Sequence, residues 1–109
     1  MAGKFEVYVD KAGEHRFRLK AGNGEIILTS EGYNKKDGCA NGIESVRRNA
    51  TNADRFEKIK SDSGKYRFNL KAANHQVIGT SQSYDSESGR DNGIASVGRN
   101  APDAPVVEV

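Results

Sequence analysis

His15, His75 and Cys39 are the residues of this chain with the chemistry to serve as a base, a nucleophile or a soft metal ligand. A neutral imidazole titrates near physiological pH, and a thiolate is both a nucleophile and a metal ligand. Their spacing does not support that chemistry. Two histidines and one cysteine, scattered over 109 residues, do not form a metal-ligand pattern. No P-loop or dinucleotide fingerprint is present, and Gly22-Asn23-Gly24 reads as a hairpin turn rather than a phosphate cradle. The sequence implies no cofactor.

An internal duplication supplies a sharper test. Asn41-Gly42-Ile43-Glu44-Ser45-Val46-Arg47-Arg48-Asn49-Ala50 returns as Asn92-Gly93-Ile94-Ala95-Ser96-Val97-Gly98-Arg99-Asn100-Ala101, an offset of 51 residues from Asn41 to Asn92. The offset carries Phe5 onto Phe56, Arg16 onto Arg67 and Tyr33 onto Tyr84 without a gap, and about half the positions from Phe5 to Ala50 match. A catalytic group needed by both units must occur in both. His15 aligns with Tyr66, His75 with Gly24 and Cys39 with Arg90. Glu6 and Glu57 are the one acid pair shared, so paired carboxylates do not recur. The chain therefore reads as a non-enzyme.

Two polar sets do recur. Asn41, Ser45 and Arg48, with their copies Asn92, Ser96 and Arg99, line one face of a helix at 100° per residue, opposite Cys39, Ile43 and Val46. They form the candidate partner-binding stripe. The competing reading has Asn and Ser bonding nearby backbone while Arg complements the helix C-terminus. The second set is Arg16, Lys20, Arg67 and Lys71, a candidate basic sheet face that shares its side with Tyr8. Cations beside a ring suit single-stranded nucleic acid. Glu6, Asp10 and Glu57 share that side and neutralise much of it, which favours a solvated face of cross-strand ion pairs.

The elements that must position these groups follow from periodicity. Phe5–Asp10 and Arg16–Ala21 alternate as strands, and Ile26–Ser30 follows Asn23-Gly24, read as a two-residue type I′ hairpin. That turn places Ala21 opposite Ile26 and Leu19 opposite Leu28. The first hairpin is expected to pair Asp10 with Arg16, Val9 with Phe17, Val7 with Leu19 and Glu6 with Lys20. Lys58 and Lys60, where copy 1 has Val7 and Val9, predict an edge strand. His75 replaces Gly24 in the second turn, and histidine tolerates the left-handed region. Cys39, Ile43, Val46 and Ala50 make the apolar stripe of a helix, with Asn34 and Asp85 as expected N-caps. Gly42 and Gly93 fall mid-helix, where glycine costs about 1 kcal/mol, and so predict close packing of helix on sheet. Val106–Val109 aligns with Arg55–Lys58 as a closing strand, with Val107 expected buried and Glu108 exposed.

The run Phe17 to Ile27, with Ser30-Glu31-Gly32-Tyr33 and Asn41 to Val46, resembles the YegP-like family, small bacterial proteins often built of two tandem copies. The resemblance implies an α+β fold in which two tandem β-β-β-α-β repeats share one mainly antiparallel sheet with the helices packed on it. It also implies that closing strands are exchanged between repeats. It brings no catalytic residues. Residues 1–109 then read as a single domain, with repeats of approximately 4–54 and 55–109, because fifty residues bury too little surface to fold alone.

Net charge is +2 and the sequence pI is 8.7, too mild for a dedicated nucleic-acid binder. One cysteine allows no internal disulfide, Met1–Phe5 carries no apolar signal segment, and no run suits a membrane span, so the expectation is cytoplasmic. The expected function is a non-enzymatic interaction module for an unknown protein or peptide. The alternative is a weak nucleic-acid binder using the basic sheet face. A monomer or weak homodimer is expected.

Overall fold

The computed structural model describes residues 3–109. Three strands, β1 (Lys4–Val9), β2 (His15–Lys20) and β3 (Ile26–Thr29), lead into helix α1 (Lys36–Asn49). A 3-10 turn at Ala53–Arg55 precedes β4 (Phe56–Lys60), β5 (Tyr66–Lys71), β6 (Val77–Thr80), α2 (Glu87–Asn100) and β7 (Val106–Glu108). The strands form one seven-stranded sheet in the order β4-β5-β6-β3-β2-β1-β7. All pairs are antiparallel except β1 with β7. This is the expected α+β architecture. Each closing strand lies in the other repeat's half: β4 beside β5, and β7 beside β1.

The halves meet at Thr29 and Thr80, equivalent positions that pair across β3 and β6. Beside them the symmetry breaks. Leu28 is fully buried, and its counterpart Gly79 leaves room for it: a Cβ there would stand 2.6 Å from Leu28 Cγ. The helices cover one face of the sheet, where Phe5, Phe17, Leu19, Phe68 and Leu70 pack against Cys39, Ile43, Val46 and Val97, all 3% exposed or less. The predicted apolar stripe of α1 is thus the core-facing side.

Mid-helix glycine has the expected cause. A Cβ on Gly42 would lie 2.5 Å from Tyr33 Oη and 3.1 Å from the Phe17 ring, and Gly93 meets Tyr84 and Phe68 in the same way. Each repeat stacks an aromatic triad beneath its helix. Phe5 meets Phe17 edge-on at 5.8 Å and Phe17 stacks on Tyr33 at 6.4 Å; Phe56, Phe68 and Tyr84 repeat this at 5.5 and 6.4 Å. Such pairs add about 0.5–1.5 kcal/mol beyond the area they bury.

Four local expectations are corrected. The turns are three-residue loops, each a type I turn followed by a left-handed residue, so Ala21 closes on Glu25 and not on a two-residue hairpin. The left-handed position falls on Gly13, Gly24, Gly64 and His75, the last with φ 71° as expected for this histidine. The extra residue moves Ile26 opposite Lys20 through a bulge, while Leu19 still faces Leu28.

In the first hairpin the same loop shifts the register by two residues. Tyr8 faces Arg16, Glu6 faces Arg18, Val7 faces Phe17 and Phe5 faces Leu19. A shift of two keeps every side chain on its face, so the acid–base contacts survive as diagonal neighbours.

The helices start one residue later than expected. Lys35 precedes α1 without a side-chain cap, and Ser86 caps α2 by accepting the Gly89 N–H at 3.0 Å. Asp85 pairs with Lys65 instead.

The closing strand does form, in parallel with β1, but Val107 is 38% exposed. Val106 takes the register opposite Phe5, so it is Val106 and Glu108 that border α1, and Val107 falls on the other side of a strand at the sheet edge. β4, with Lys58 and Lys60, is the opposite edge, as its lysines predict.

Candidate functional site

The basic sheet face is built from β1, β2, β4 and β5, and its charges are largely spent on one another. Glu6 sits at the centre of the β1–β2 side, 4% exposed. Arg18 Nε donates to its carboxylate at 2.7 Å, Lys20 Nζ lies 3.2 Å away and Lys4 Nζ 3.5 Å away. The Arg18 hydrogen bond, aided by Lys20 and opposed by desolvation, lowers the Glu6 carboxyl from 4.5 to about 2. Arg16 Nε donates to Asp10 at 2.6 Å, and this bond holds the Asp10 carboxyl below its usual value. In repeat 2, Lys71 pairs with Glu57 at 3.1 Å and lowers that carboxyl too. Arg67 is exposed and makes no ion pair with another described residue. Tyr8, the ring that nucleic acid would stack on, lies 4.8 Å beneath the Arg18 guanidinium.

The helix stripe is different. Asn41 and Arg48 on α1, and Asn92 and Arg99 on α2, are exposed and form no side-chain hydrogen bond or ion pair among the described residues. Ser45 and Ser96 are half-buried, and each accepts from the asparagine one turn on: Asn49 Nδ2 lies 3.3 Å from Ser45 Oγ, and Asn100 Nδ2 3.1 Å from Ser96 Oγ. Helix-to-backbone bonding, the competing reading for the stripe, is carried instead by Asn49 and Asn100. Each donates to the carbonyl four residues back at 2.8 Å. Asn49 Oδ1 also accepts from Arg55 Nε, and Asn100 Oδ1 from the Gly3 N–H, both at 3.0 Å. These two asparagines moor the chain that enters each repeat.

Ser45 and Arg48 do not stand alone. With Asn49 they form one wall of a shallow cleft of about 520 Å3 whose other wall is Ala72, Ala73 and Asn74 of the β5–β6 hairpin. The stripe of repeat 1 therefore borders a loop of repeat 2, a juxtaposition the sequence does not reveal.

Sequence reasoning missed Ser30 and Ser81 as a matched pair. Both are buried. Ser30 Oγ accepts the Phe17 N–H and Ser81 Oγ the Phe68 N–H, each at 2.9 Å, while the hydroxyls donate to the carbonyls of Glu31 and Gln82. Their identity at the 51-residue offset was the available signal. They hold the strand ends rather than a ligand.

The thiol of Cys39 is 1% exposed, and burial pushes it up from its usual value, which favours the unreactive protonated form. Among the described residues no three His, Cys, Asp or Glu side chains gather as a metal site. Among the described residues no helix is long and apolar enough to cross a membrane.

Against known proteins the likeness runs the length of the chain. The model for a domain of unknown function, DUF1508, matches twice, over residues 10–57 and 61–108. A UPF0339 protein from the ptx operon 5′ region of Stutzerimonas stutzeri is 63% identical over 109 residues, covering all of this chain and 98% of the relative. The UPF0339 protein YegP of Escherichia coli K12 is 53% identical over 100 residues, 92% of this chain and 91% of the relative. The solution NMR structure of E. coli yegP, a protein of unknown function, superposes with a TM-score of 0.94 at 50% identity, covering 99% of this chain and 93% of that one. That of a UPF0339 protein from Shewanella oneidensis gives 0.93 at 49% identity, covering 99% and 92%.

Proposed function

The chain belongs to the DUF1508 family, as a tandem member alongside YegP, and from that footing we propose that it is a non-enzymatic interaction module. The observation that carries the reading is that Arg48 and Arg99 stand exposed and unpaired on matching helix faces. Most sheet-face cations, by contrast, are held by carboxylates. An unpaired guanidinium offers five donors in a fixed fork, suited to a carboxylate on a partner. Asn41, Ser45 and the cleft beside Asn74 extend that contact on repeat 1, and Asn92 and Ser96 do so on repeat 2. The partner is a protein or peptide segment that carries acidic side chains. Arginine in such a position is a common source of binding energy. The enzymatic reading has less support, because the one thiol is buried and neither histidine recurs at the 51-residue offset.

Nucleic-acid binding through the sheet face has less in its favour: Arg67 alone of its four cations makes no ion pair among the described residues, while Tyr8 lies beneath Arg18 and Arg16, Lys20 and Lys71 are neutralised. The test is capture of partners from the native lysate by the full chain, compared with the Arg48→Ala/Arg99→Ala variant.

A further inference from the structure

The duplication makes each repeat a control for the other, and one matched place is filled in repeat 1 and open in repeat 2. On α1, Arg47 lays its guanidinium 5.4 Å over the Phe5 ring, pairs with Glu44 one turn back and donates from Nη2 to the Ala104 carbonyl at 2.6 Å. At the 51-residue offset Arg47 becomes Gly98, Phe5 becomes Phe56, Glu44 becomes Ala95 and Ala104 becomes Ala53. These four meet again: with Ile94 and Arg99 they line a shallow groove of about 360 Å3. In both halves the chain leaving one helix runs past the other helix. Ala104 reaches Arg47, and the Ala50 carbonyl lies 3.2 Å from where a Cβ on Gly98 would stand. The two places thus correspond up to Ala53 and Ala104, and only beyond them do β4 and β7 take different positions in the sheet. β7 shields the edge of Phe5, while Arg47 shields the face of its ring. Phe5 and Ile43 are 3% exposed or less, whereas Phe56 and Ile94 are only half-buried and Ala53 is exposed.

We infer that on repeat 2 the partner segment seats one bulky apolar side chain on Phe56, next to an acidic residue that pairs with Arg99. Size follows from the side chain that repeat 2 lacks, since Arg47 shortened to Gly98 vacates a long side chain's worth of space over the ring. Charge excludes a second arginine as the occupant. Glu44, which balances Arg47, is Ala95 here, and Arg99 stands at the rim, exposed and without an ion pair among the described residues. A cation would meet a like charge and no acid, whereas an apolar group gains from covering Phe56 and Ile94, and a neighbouring carboxylate gains from Arg99. Repeat 1, plugged by its own Arg47, offers no such seat, so one chain carries one. This inference rests on the reading of Arg99 as a partner contact and adds the apolar half of what the partner presents.

The test is a titration of the 15N-labelled full chain with acetyl-Phe-Glu-amide, followed by amide shifts, with acetyl-Ala-Glu-amide and acetyl-Phe-Gln-amide as the two controls. The first probe should give saturable shifts at Ala53, Phe56, Ala95 and Gly98, and none at the matched Ala104, Phe5, Glu44 and Arg47. The alanine probe should bind about tenfold more weakly, from the lost apolar burial. The glutamine probe should bind about two- to fivefold more weakly, the worth of an exposed ion pair. Gly98→Arg, which copies the plug of repeat 1, should weaken the first probe about tenfold. If that variant does not fold, Glu44→Ala/Arg47→Ala decides: it opens the matched groove, and a second set of saturable shifts should appear at Phe5 and Ala104. The inference is overturned by an absence of saturable shifts, by equal affinity for the alanine or the glutamine probe, by unchanged affinity in folded Gly98→Arg, or by no second set in the double variant. Shifts around Arg48 and Arg99 that need the glutamate but ignore the phenylalanine would overturn it and leave the helix stripe standing. Shifts at the groove that ignore the glutamate would count against the stripe as well.

Discussion

Leu28 occupies the space that a side chain at Gly79 would need, although the two residues hold the same place in their repeats. A duplicated fold with a twofold seam brings equivalent residues together at the axis, and two leucines do not fit there. One copy kept the volume and the other gave it up. Gly79→Ala should therefore destabilise the protein by about 1–3 kcal/mol, the cost of overpacking a filled core. The same change made in a Leu28→Ala background should cost much less, because the two sites share one space. Denaturant unfolding of the four chains measures the coupling, and additive effects would mean that the space is not shared.

The same relationship bears on the half-chain. A chain ending near Asn52 exposes the apolar side of β3 and α1 and should not fold as a monomer. Pairing with a second copy of itself would set two Leu28 side chains at the seam. We expect an unfolded fragment by circular dichroism and sedimentation. A cooperatively folded monomer would show that the repeats are independent units.

Acid should act through the sheet face. The Glu6 carboxyl is lowered from 4.5 to about 2 by Arg18 and Lys20. A depressed folded value means that the unfolded chain takes up protons first. The stability Glu6 contributes is thus complete above about pH 4.5 and is lost as the pH falls toward 2. Asp10 and Glu57, held low by Arg16 and Lys71, act in the same direction. Glu6→Gln should flatten the decline in melting temperature over this range. Parallel profiles for the two proteins would contradict the assignment.

The tail gives a smaller effect than its alignment suggests. Val109 donates its N–H to the Val7 carbonyl at 3.0 Å, and the Phe5 N–H donates to Pro105 at 2.8 Å, yet Val106 and Val107 stay 49% and 38% exposed. Partial burial of two valines and a short ladder is worth about 1–2 kcal/mol. Deleting Val106–Val109 should lower stability by that amount, and a truncated chain that melts like the full one would show the strand to be idle.

How far the sequence foretold these features depends on what each feature needs. The repeat, the edge lysines Lys58 and Lys60, the buried stripe Cys39–Ala50 and the tight glycines Gly42 and Gly93 are patterns within one copy or between two, and these were legible. The hairpin registers were not, because Asn23-Gly24 serves both two- and three-residue loops, and the choice rests on one backbone hydrogen bond, from Ala21 to Glu25. In the first hairpin the face of each strand survived because the error was even in number; in the second a bulge moved Ile26 by one residue while Leu19 kept its place opposite Leu28. Leu28/Gly79 and Cys39/Arg90 are visible in the sequence as mismatches, but their meaning is spatial. One lies at the seam, and the other puts Cys39 beside a cleft walled by a strand from the far end of the chain. The neighbourhood of Arg48 and Asn74 depends in the same way on how the two repeats pack.

The proposed contact between the duplicated helix stripe and a partner is open to direct measurement. The direct measurement is quantitative capture from the native lysate by three proteins: the parent chain, Arg48→Ala/Arg99→Ala and Arg16→Ala/Lys20→Ala. Both arginines of the stripe are exposed and unpaired, so their loss should leave the melting temperature nearly unchanged. A specific protein should be retained by the parent and by the sheet-face variant, and reduced at least tenfold with the helix variant. Retention that is equal for the helix variant, or lost with the sheet-face variant alone, would contradict it.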